Sequence, residues 1–488
     1  MANPTADGRH NDAMNETPEI GQPQLRRSLG LADVAFFFVV AGSNLQWVAT
    51  AAAAGPSSLP VWLIGCGAMF IPLSVSVVYL SSRYPDEGGI YVWAKRAFGP
   101  FGGFMTGWTY WCSNLPYFPA LLYFTAGNAL FVTGNSAGWL STSPVYFIAV
   151  SIFGLALGTL VNVFGLDIGK ILNNVGAASR WGVTMLLIAL GALYLWKAGP
   201  ATPINAATMH PGYHIKDLIF WSTIAFAWTG PEAASFMAGE VKNPRRSIAL
   251  GLLIAAPVIA AIYILGTASV LAALTPPNTS ALYGVMQAIA HVAAHFGWAF
   301  LTPIAAILVT VSCFGSVGAW LGAVARLPFV AGLDHFLPAA FGRMHPRWGS
   351  PVVALLVQAA IAAFFILLGQ GGTSVKGAYD VLVSTTVVIT LVPFVYIFAS
   401  AIKLHGPDDA EAIRIPGGSW TVRIAASIGL LTTLCSIVLA VFPADDEPNK
   451  ALAVFKVLGL TVLMVVSGVA VYLRGARRLT RAEALRSD

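Results

Sequence analysis

The stretch Phe226-Ala227-Trp228-Thr229-Gly230-Pro231-Glu232 is a polar break within an otherwise apolar part of the chain. Proline removes a backbone donor and clashes with the preceding helical turn, and a carboxylate at mid-membrane depth costs roughly 2.5 kcal/mol or more. Broken backbone is tolerated at that depth where it is buried in protein or lines a watery cavity. The break therefore predicts a ligand site inside a membrane protein.

The composition predicts an all-α integral membrane protein without a separate soluble domain. The 488 residues are 57% hydrophobic and 10% charged, whereas a soluble domain carries about 25% charged residues. Apolar runs of about 20 residues recur, each long enough to cross roughly 30 Å of hydrocarbon. We predict twelve transmembrane helices, at about 31–55, 60–82, 100–130, 143–165, 171–196, 217–238, 248–273, 297–328, 351–369, 378–404, 420–443 and 452–474.

The placement of the basic residues predicts the orientation and argues against nucleic acid as a partner. The net charge is +6, but the arginines and lysines gather in loops on one side of the predicted membrane. The opposite side receives Lys197, Lys216, Lys376, Lys450 and Lys456. This positive-inside bias predicts that both termini are cytoplasmic, with the lipid bilayer as partner and a homodimer left open.

The predicted organisation follows from these spans. Residues 1–24 are polar and predict a disordered cytoplasmic tail. Residues 25–404 are predicted to form the transporter core, residues 405–474 to form helices 11 and 12, and residues 475–488 to form a basic cytoplasmic tail. No signal peptide is expected, because no short apolar stretch follows an early positive charge.

No metal or cofactor is expected from the cysteines. Cys66, Cys112, Cys313 and Cys435 lie in apolar spans without metal-ligand spacing, and packing of small side chains explains them.

A second break in span 1, Ala41-Gly42-Ser43-Asn44, matches the break in span 6. Each break opens a block of five spans, at about 31–196 and 217–404, and an odd number of spans inverts the second block. Paired interrupted helices in inverted halves indicate the binding site of a secondary transporter. Spacing and orientation alone predict this repeat.

An unwound helix frees N–H groups that attract anions and carbonyl groups that attract cations. An α-amino acid carries both charges, so two facing breaks suit it. We predict that Gly42-Ser43-Asn44 holds the carboxylate and that the carbonyl groups around Phe226, Ala227 and Thr229 hold the ammonium group. The predicted site residues of the second break are Phe226, Ala227, Trp228, Thr229 and Gly230.

Three motifs resemble the amino acid–polyamine–organocation transporter superfamily, near bacterial arginine/agmatine and glutamate/GABA exchangers. They are GEVKNPRRSI (239–248) after FAWTGPE, YPDEGGIYVWAKRAFGPFGGF (84–104) and LVPFVY (391–396). The resemblance covers roughly spans 1 to 12. It implies a five-plus-five inverted-repeat (LeuT-like) fold, with broken helices 1 and 6, in the bacterial inner membrane.

The resemblance also implies roles for individual residues. Phe226 matches an aromatic residue that closes over the substrate, and Asn114, Trp320 and Ser384 match positions that contact it. Glu232 matches a helix-6 glutamate implicated in coupling or gating. The chain departs from the family at Ser43, which replaces the last glycine of the helix-1 signature.

Arg180 has two open interpretations. It falls where some family members have a lysine proposed to replace a sodium ion, and there it would be a fixed charge, since arginine does not usefully deprotonate. Alternatively it snorkels from the start of span 5 to the cytoplasmic interface.

Other classes of function are disfavoured. The chain has no HExxH or GxSxG motif in a catalytic context, so an enzyme is not expected, and a channel needs no inverted pair of breaks. The expected substrate is a small molecule, a neutral amino acid in preference to a cationic amino acid or polyamine. The amphipathic segment 280–291 is either a lid or a plain connection.

Overall fold

The computed structural model describes residues 30–84, 88–134, 138–164, 166–212, 215–233, 235, 241–333, 336–371, 373–404, 412–442 and 449–487. The predicted tail at residues 1–24 lies outside these ranges. The described residues are predominantly α-helical, in agreement with the predicted class.

The helices are labelled in chain order. They are α1 (Leu31–Gly42), α2 (Leu45–Ala54), α3 (Ser58–Gly65), α4 (Ile71–Arg83), α5 (Ile90–Ala129), α6 (Pro144–Phe164), α7 (Leu166–Ala198), α8 (Ile215–Ala227), α9 (Pro244–Ala273), α10 (Gly284–His295), α11 (Leu301–Leu333), α12 (Val352–Gln370), α13 (Val375–Lys403), α14 (Gly418–Leu439) and α15 (Lys450–Ser487). A π-helical turn, Cys66–Phe70, joins α3 to α4.

Eleven helical segments among the described residues are long and apolar enough to cross a membrane. Their bounds agree with those of eleven of the twelve predicted spans to within about four residues, except that the third segment begins at Ile90, about ten residues before the predicted start. The remaining predicted span, 217–238, is absent from this set because α8 has 13 residues and residues 234 and 236–240 lie outside the described ranges. Length and composition therefore support eleven candidate spans among the described residues, and the twelfth span stays a prediction.

Span 1 is divided into α1 and α2 by two residues with extended backbone. Ser43 has φ −119° and ψ 114°, and Asn44 has φ −127° and ψ 123°. Both residues are buried. The chain thus leaves the helical conformation at the predicted break, inside the protein.

Span 6 is interrupted directly after α8. Gly230 has φ +129°, a conformation that side chains strongly disfavour, and Pro231 cannot donate the next backbone hydrogen bond. A Cβ atom added at Gly230 would lie 3.3 Å from the Cα atom of Gly42. The two breaks therefore pack directly against each other.

The centre of the molecule is built by helices of both blocks. Helix α5 packs extensively against α13 and α11, and α1 packs against α9. Helix α5 bends at Gly99, where φ is +81°, and residues from 102 to 128 are almost all buried. Helix α14, which packs on α13, α4 and α8, carries a large exposed apolar surface that includes Trp420, Leu431 and Val438.

The amphipathic segment forms α10, which packs against α2, α7, α9 and α11. Its apolar face is buried, as at Val285, Ile289 and Val292. The predicted helix is therefore present, and its role as a lid stays a prediction.

Candidate functional site

The two breaks meet at a small cavity of about 50 Å³. The first block supplies Ala41, Asn44, Trp47, Tyr110, Ser113, Asn114 and Tyr117 to its lining. The second block supplies Phe226, Ala227, Thr229, Gly230, Glu232, Tyr263, Trp320, Thr386 and Thr390. Backbone, hydroxyl, amide and aromatic groups thus surround a single charged side chain, Glu232, among the lining residues that the structure describes.

Eight residues predicted as substrate or gating residues line this cavity, and the others lie elsewhere. Asn44, Asn114, Phe226, Ala227, Thr229, Gly230, Glu232 and Trp320 line it. Gly42, Ser43, Trp228, Ser384 and Arg180 are not part of the lining.

Local geometry explains several of these placements. The Ser43 hydroxyl donates back to the Val39 carbonyl at 2.5 Å, as serine hydroxyls do at helix ends. The Trp228 indole N–H donates to the Trp62 carbonyl at 3.1 Å, which holds this ring in the scaffold. Helix α13 presents Thr386 to the cavity, two positions from Ser384 and hence on a different face of the helix.

Arg180 is buried and binds the first break. Its guanidinium group donates to the Val40 carbonyl at 2.5 Å and to the Ser43 carbonyl at 2.8 Å. On the opposite side it donates to the hydroxyls of Ser312, at 3.2 Å, and Ser316. Arg180 therefore joins the carbonyl groups of the first break to α11 and lies in the protein interior, and its place in a cation site stays a prediction.

Glu232 binds within its own break. One carboxylate oxygen accepts the Gly230 N–H at 2.9 Å, and the other accepts the Tyr110 hydroxyl at 2.9 Å. The side chain is 2% exposed. Because Glu232 also lines the cavity, its charge faces the space where a ligand would lie. None of the lining residues that the structure describes is basic.

Tyr263, which sequence reasoning missed, links the two breaks. Its hydroxyl lies 2.7 Å from the Gly42 carbonyl oxygen and 3.1 Å from the Ala227 carbonyl oxygen, and it accepts the Asn44 N–H at 3.3 Å. Its ring stacks on Trp62 with centroids 4.3 Å apart. A tyrosine within an apolar span gives no sequence signal for such a position.

Two aromatic rings close one side of the cavity. Trp47 of α2 and Phe226 of α8 meet edge to face, with ring centroids 5.3 Å apart at 84°. Asn44 is fixed nearby by donating its side-chain N–H to the Tyr117 hydroxyl at 2.6 Å. The Trp47–Phe226 pair therefore joins α2, which follows the first break, to α8, which precedes the second break.

The described residues contain no cluster of three or more histidine, cysteine or acidic side chains that could hold a metal ion. The groups that line the cavity are backbone groups, hydroxyls, amides, aromatic rings and one carboxylate. A site of this kind between two interrupted membrane helices is characteristic of a secondary transporter.

Comparison with known proteins agrees with this class. A family model described as "Amino acid permease" matches residues 29–467, so the chain belongs to the amino acid permease family, as the motifs predicted. An uncharacterized transporter of Legionella pneumophila is 27% identical over 90% of this chain and 95% of its own.

Two antiporters of Lactococcus lactis are more distant relatives. A probable agmatine/putrescine antiporter is 22% identical over 82% of this chain and 84% of its own length. A glutamate/gamma-aminobutyrate antiporter is 25% identical over 80% of this chain and 78% of its own length.

The fold is shared with a solved transporter. The crystal structure of MhsT in complex with L-phenylalanine has a TM-score of 0.56 at 15% identity, and it covers 86% of this chain and 100% of that chain. The chain is thus a multi-pass secondary transporter with the LeuT-like fold for a small-molecule substrate, and not an enzyme.

Proposed function

We propose that the chain transports α-amino acids by alternating access, with the zwitterionic group held between the two breaks. The main observation that supports this proposal is the cavity between the two breaks. Asn44 begins α2 without a side-chain cap, so the first N–H groups of α2 are suited to a carboxylate. The carboxyl end of α8 and the Glu232 carboxylate suit the ammonium group.

The side chain of the substrate is proposed to be neutral. Glu232 is the one acid in the described lining, and the zwitterion's ammonium group uses it. Trp47, Phe226 and Trp320 supply apolar surface for the rest of the molecule. The alternative is a polyamine or another cationic amine, and the names of the two Lactococcus lactis relatives support testing it.

Transport is proposed to be exchange or facilitated movement without a sodium ion or a proton cycling at Arg180. This residue occupies the Val40 and Ser43 carbonyl groups with a charge that arginine keeps at all relevant pH values. Glu232 and the Trp47–Phe226 pair are proposed to serve coupling and gating.

The protein is proposed to lie in a bacterial inner membrane with both termini in the cytoplasm. The positive-inside distribution of arginine and lysine supports this orientation. Residues 25–404 are proposed as the transport core and residues 405–474 as peripheral helices, and a homodimer stays an open possibility.

The proposal is tested by counterflow in proteoliposomes. Vesicles loaded with one unlabelled compound at a time are given the same compound in radiolabelled form, across the amino acids, putrescine and agmatine. We expect saturable accumulation with neutral amino acids and little with the diamines. Accumulation with diamines alone would favour the alternative, and no counterflow across the whole panel would contradict transport of either class.

A further inference from the structure

A buried glutamine directly beside the cavity has no protein partner for its side chain. Gln46 of α2 is 0% exposed, and neither its amide nitrogen nor its amide oxygen makes a hydrogen bond to another described residue. Its neighbours in sequence, Asn44 and Trp47, both line the cavity. Buried polar atoms are nearly always bonded, to protein or to ordered water.

A second buried polar group, the Tyr379 hydroxyl, lies on α13. The Tyr379 side chain is 2% exposed, and its hydroxyl makes no hydrogen bond of normal geometry within the described residues. The hydroxyl lies within hydrogen-bonding reach of the Thr50 side chain on α2. Thr50 lies one helical turn after Gln46, on the same face of α2, and its hydroxyl is directed back to the Gln46 carbonyl at 2.9 Å.

Tyr379 lies on the cavity-lining face of α13, whereas Gln46 and Thr50 lie on a face of α2 next to the one that carries Trp47. On α13, Tyr379 precedes Thr386 by two helical turns and therefore shares its face, and Thr386 and Thr390 line the cavity. On α2, the face of Gln46 runs from the first turn beside the cavity through Thr50 toward α10, which packs against α2. At 1.5 Å per residue, Tyr379 lies about 10 Å beyond Thr386.

We propose that Gln46 and Tyr379 bind water between α2 and α13, and that this hydrated contact continues the cavity toward α10. An amide offers both donors and acceptors and a hydroxyl offers one donor and two acceptor positions. A buried water makes about three hydrogen bonds, so these groups can satisfy it together. Thr50 flanks the water on the side of α2.

The first test is hydroxyl-radical footprinting of the purified full-length protein, because radicals formed from bound water oxidise adjacent side chains. The control is Tyr123, which is also fully buried but accepts the Gln370 amide N–H at 2.8 Å. We expect Tyr379 to be oxidised several-fold faster than Tyr123. Equal, slow oxidation of both tyrosines would overturn the proposal.

Gln46→Leu should slow the oxidation of Tyr379 toward the rate of Tyr123. The matched control is Gln358→Leu, since Gln358 is equally buried but accepts the Trp111 indole N–H at 2.9 Å and donates to the Leu321 carbonyl at 3.2 Å. Gln358→Leu should leave the oxidation of Tyr379 unchanged and lower the melting temperature more than Gln46→Leu does. An unchanged Tyr379 rate in Gln46→Leu would remove Gln46 from the water site.

A double-mutant cycle on the melting temperature tests whether the two groups share water. We expect the shift in Gln46→Leu/Tyr379→Phe to differ from the sum of the two single shifts, because residues in one hydrogen-bond network are non-additive. Additive shifts would overturn a shared site. Should Gln46→Leu fail to fold, the wild-type footprint still decides the proposal.

The continuation toward α10 is tested with Thr50→Cys and a membrane-impermeant thiol reagent, scored by mass spectrometry of the peptide. The control is Thr310→Cys, because Thr310 is half-buried like Thr50 and its hydroxyl is likewise bonded back to its own helix. We expect Thr50→Cys to react several-fold faster. Equal, slow reaction would contradict the route. None of these measurements uses a substrate. A negative result would therefore contradict the water site without contradicting the proposed transport function.

Discussion

The Tyr263 hydroxyl lies 2.7 Å from the Gly42 carbonyl oxygen, so a side chain of α9 holds the backbone of the first break. The same hydroxyl lies 3.1 Å from the Ala227 carbonyl oxygen of the second break. A hydroxyl has one proton and serves one of the two carbonyl groups at a time. The two breaks are thereby connected through a single atom beside the cavity.

Tyr263→Phe should slow counterflow while the protein stays folded. The ring keeps its stacking on Trp62, but the Gly42 and Ala227 carbonyl groups lose their donor, at a cost of about 1–3 kcal/mol. We expect an exchange rate lower by about tenfold or more, measured in proteoliposomes at matched protein content. A wild-type rate would show that this link has no part in transport.

Gly230→Ala should abolish transport. The residue has φ +129°, and the added Cβ would lie 3.3 Å from the Gly42 Cα atom, so both the backbone and the packing of the breaks oppose it. The matched control is Gly134→Ala, whose φ is +61° and whose added Cβ would meet nothing within 4 Å. Counterflow that survives in Gly230→Ala as well as in Gly134→Ala would contradict the close approach of the breaks.

Arg180→Ala should destabilise the protein, because the Val40 and Ser43 carbonyl groups lose charged donors. We expect the free energy of unfolding to fall by about 3 kcal/mol or more, judged from the usual range for hydrogen bonds to charged groups. Thermal unfolding in detergent measures this change. A wild-type melting temperature would contradict the contacts of Arg180.

Arg180→Lys should retain folding and make exchange depend on pH. Lysine can release its proton when buried, whereas arginine does not, so exchange by the variant should vary with pH more strongly than exchange by wild type. Counterflow measured from pH 5 to 9 checks this. Wild-type uptake driven strongly by a pH gradient, and still driven in Arg180→Ala, would remove the assignment of Arg180.

Glu232→Gln should weaken substrate binding without dismantling the break. Glutamine can still accept the Gly230 N–H through its amide oxygen and can donate its amide N–H to the Tyr110 hydroxyl oxygen, but the charge that faces the ammonium group is lost. We expect the half-saturation concentration to rise by about tenfold, corresponding to one charge-assisted hydrogen bond. Tyr110→Phe, which keeps the charge and removes one hydrogen bond, should raise the half-saturation concentration less. A larger rise in Tyr110→Phe than in Glu232→Gln would show that Glu232 only stabilises the break.

Sequence reasoning located the two breaks because Gly42, Gly230 and Pro231 have backbone requirements that are visible in the chain itself. The motifs identified the family because they can be read directly from the sequence. The depth of Arg180 stayed open, since the Ser312 and Ser316 hydroxyls that receive it lie more than 130 positions away.

The sequence did not predict which side chains of a helix point into the cavity. Phe226 and Trp228 are two positions apart, yet the first lines the cavity and the second packs against Trp62. The rotation of α8 in the assembled fold decides between them. Tyr263 and Thr386 are ordinary residues of apolar spans, and their place in the site arises from tertiary packing alone.

The most direct test of the central claim compares an amino acid with two derivatives that each remove one charge. Counterflow is measured with a neutral amino acid that wild type accepts, with its methyl ester and with its N-acetyl form. We expect saturable exchange of the free amino acid and little exchange of either derivative, because one break holds each charge. Equal exchange of the methyl ester or the N-acetyl form would contradict this claim.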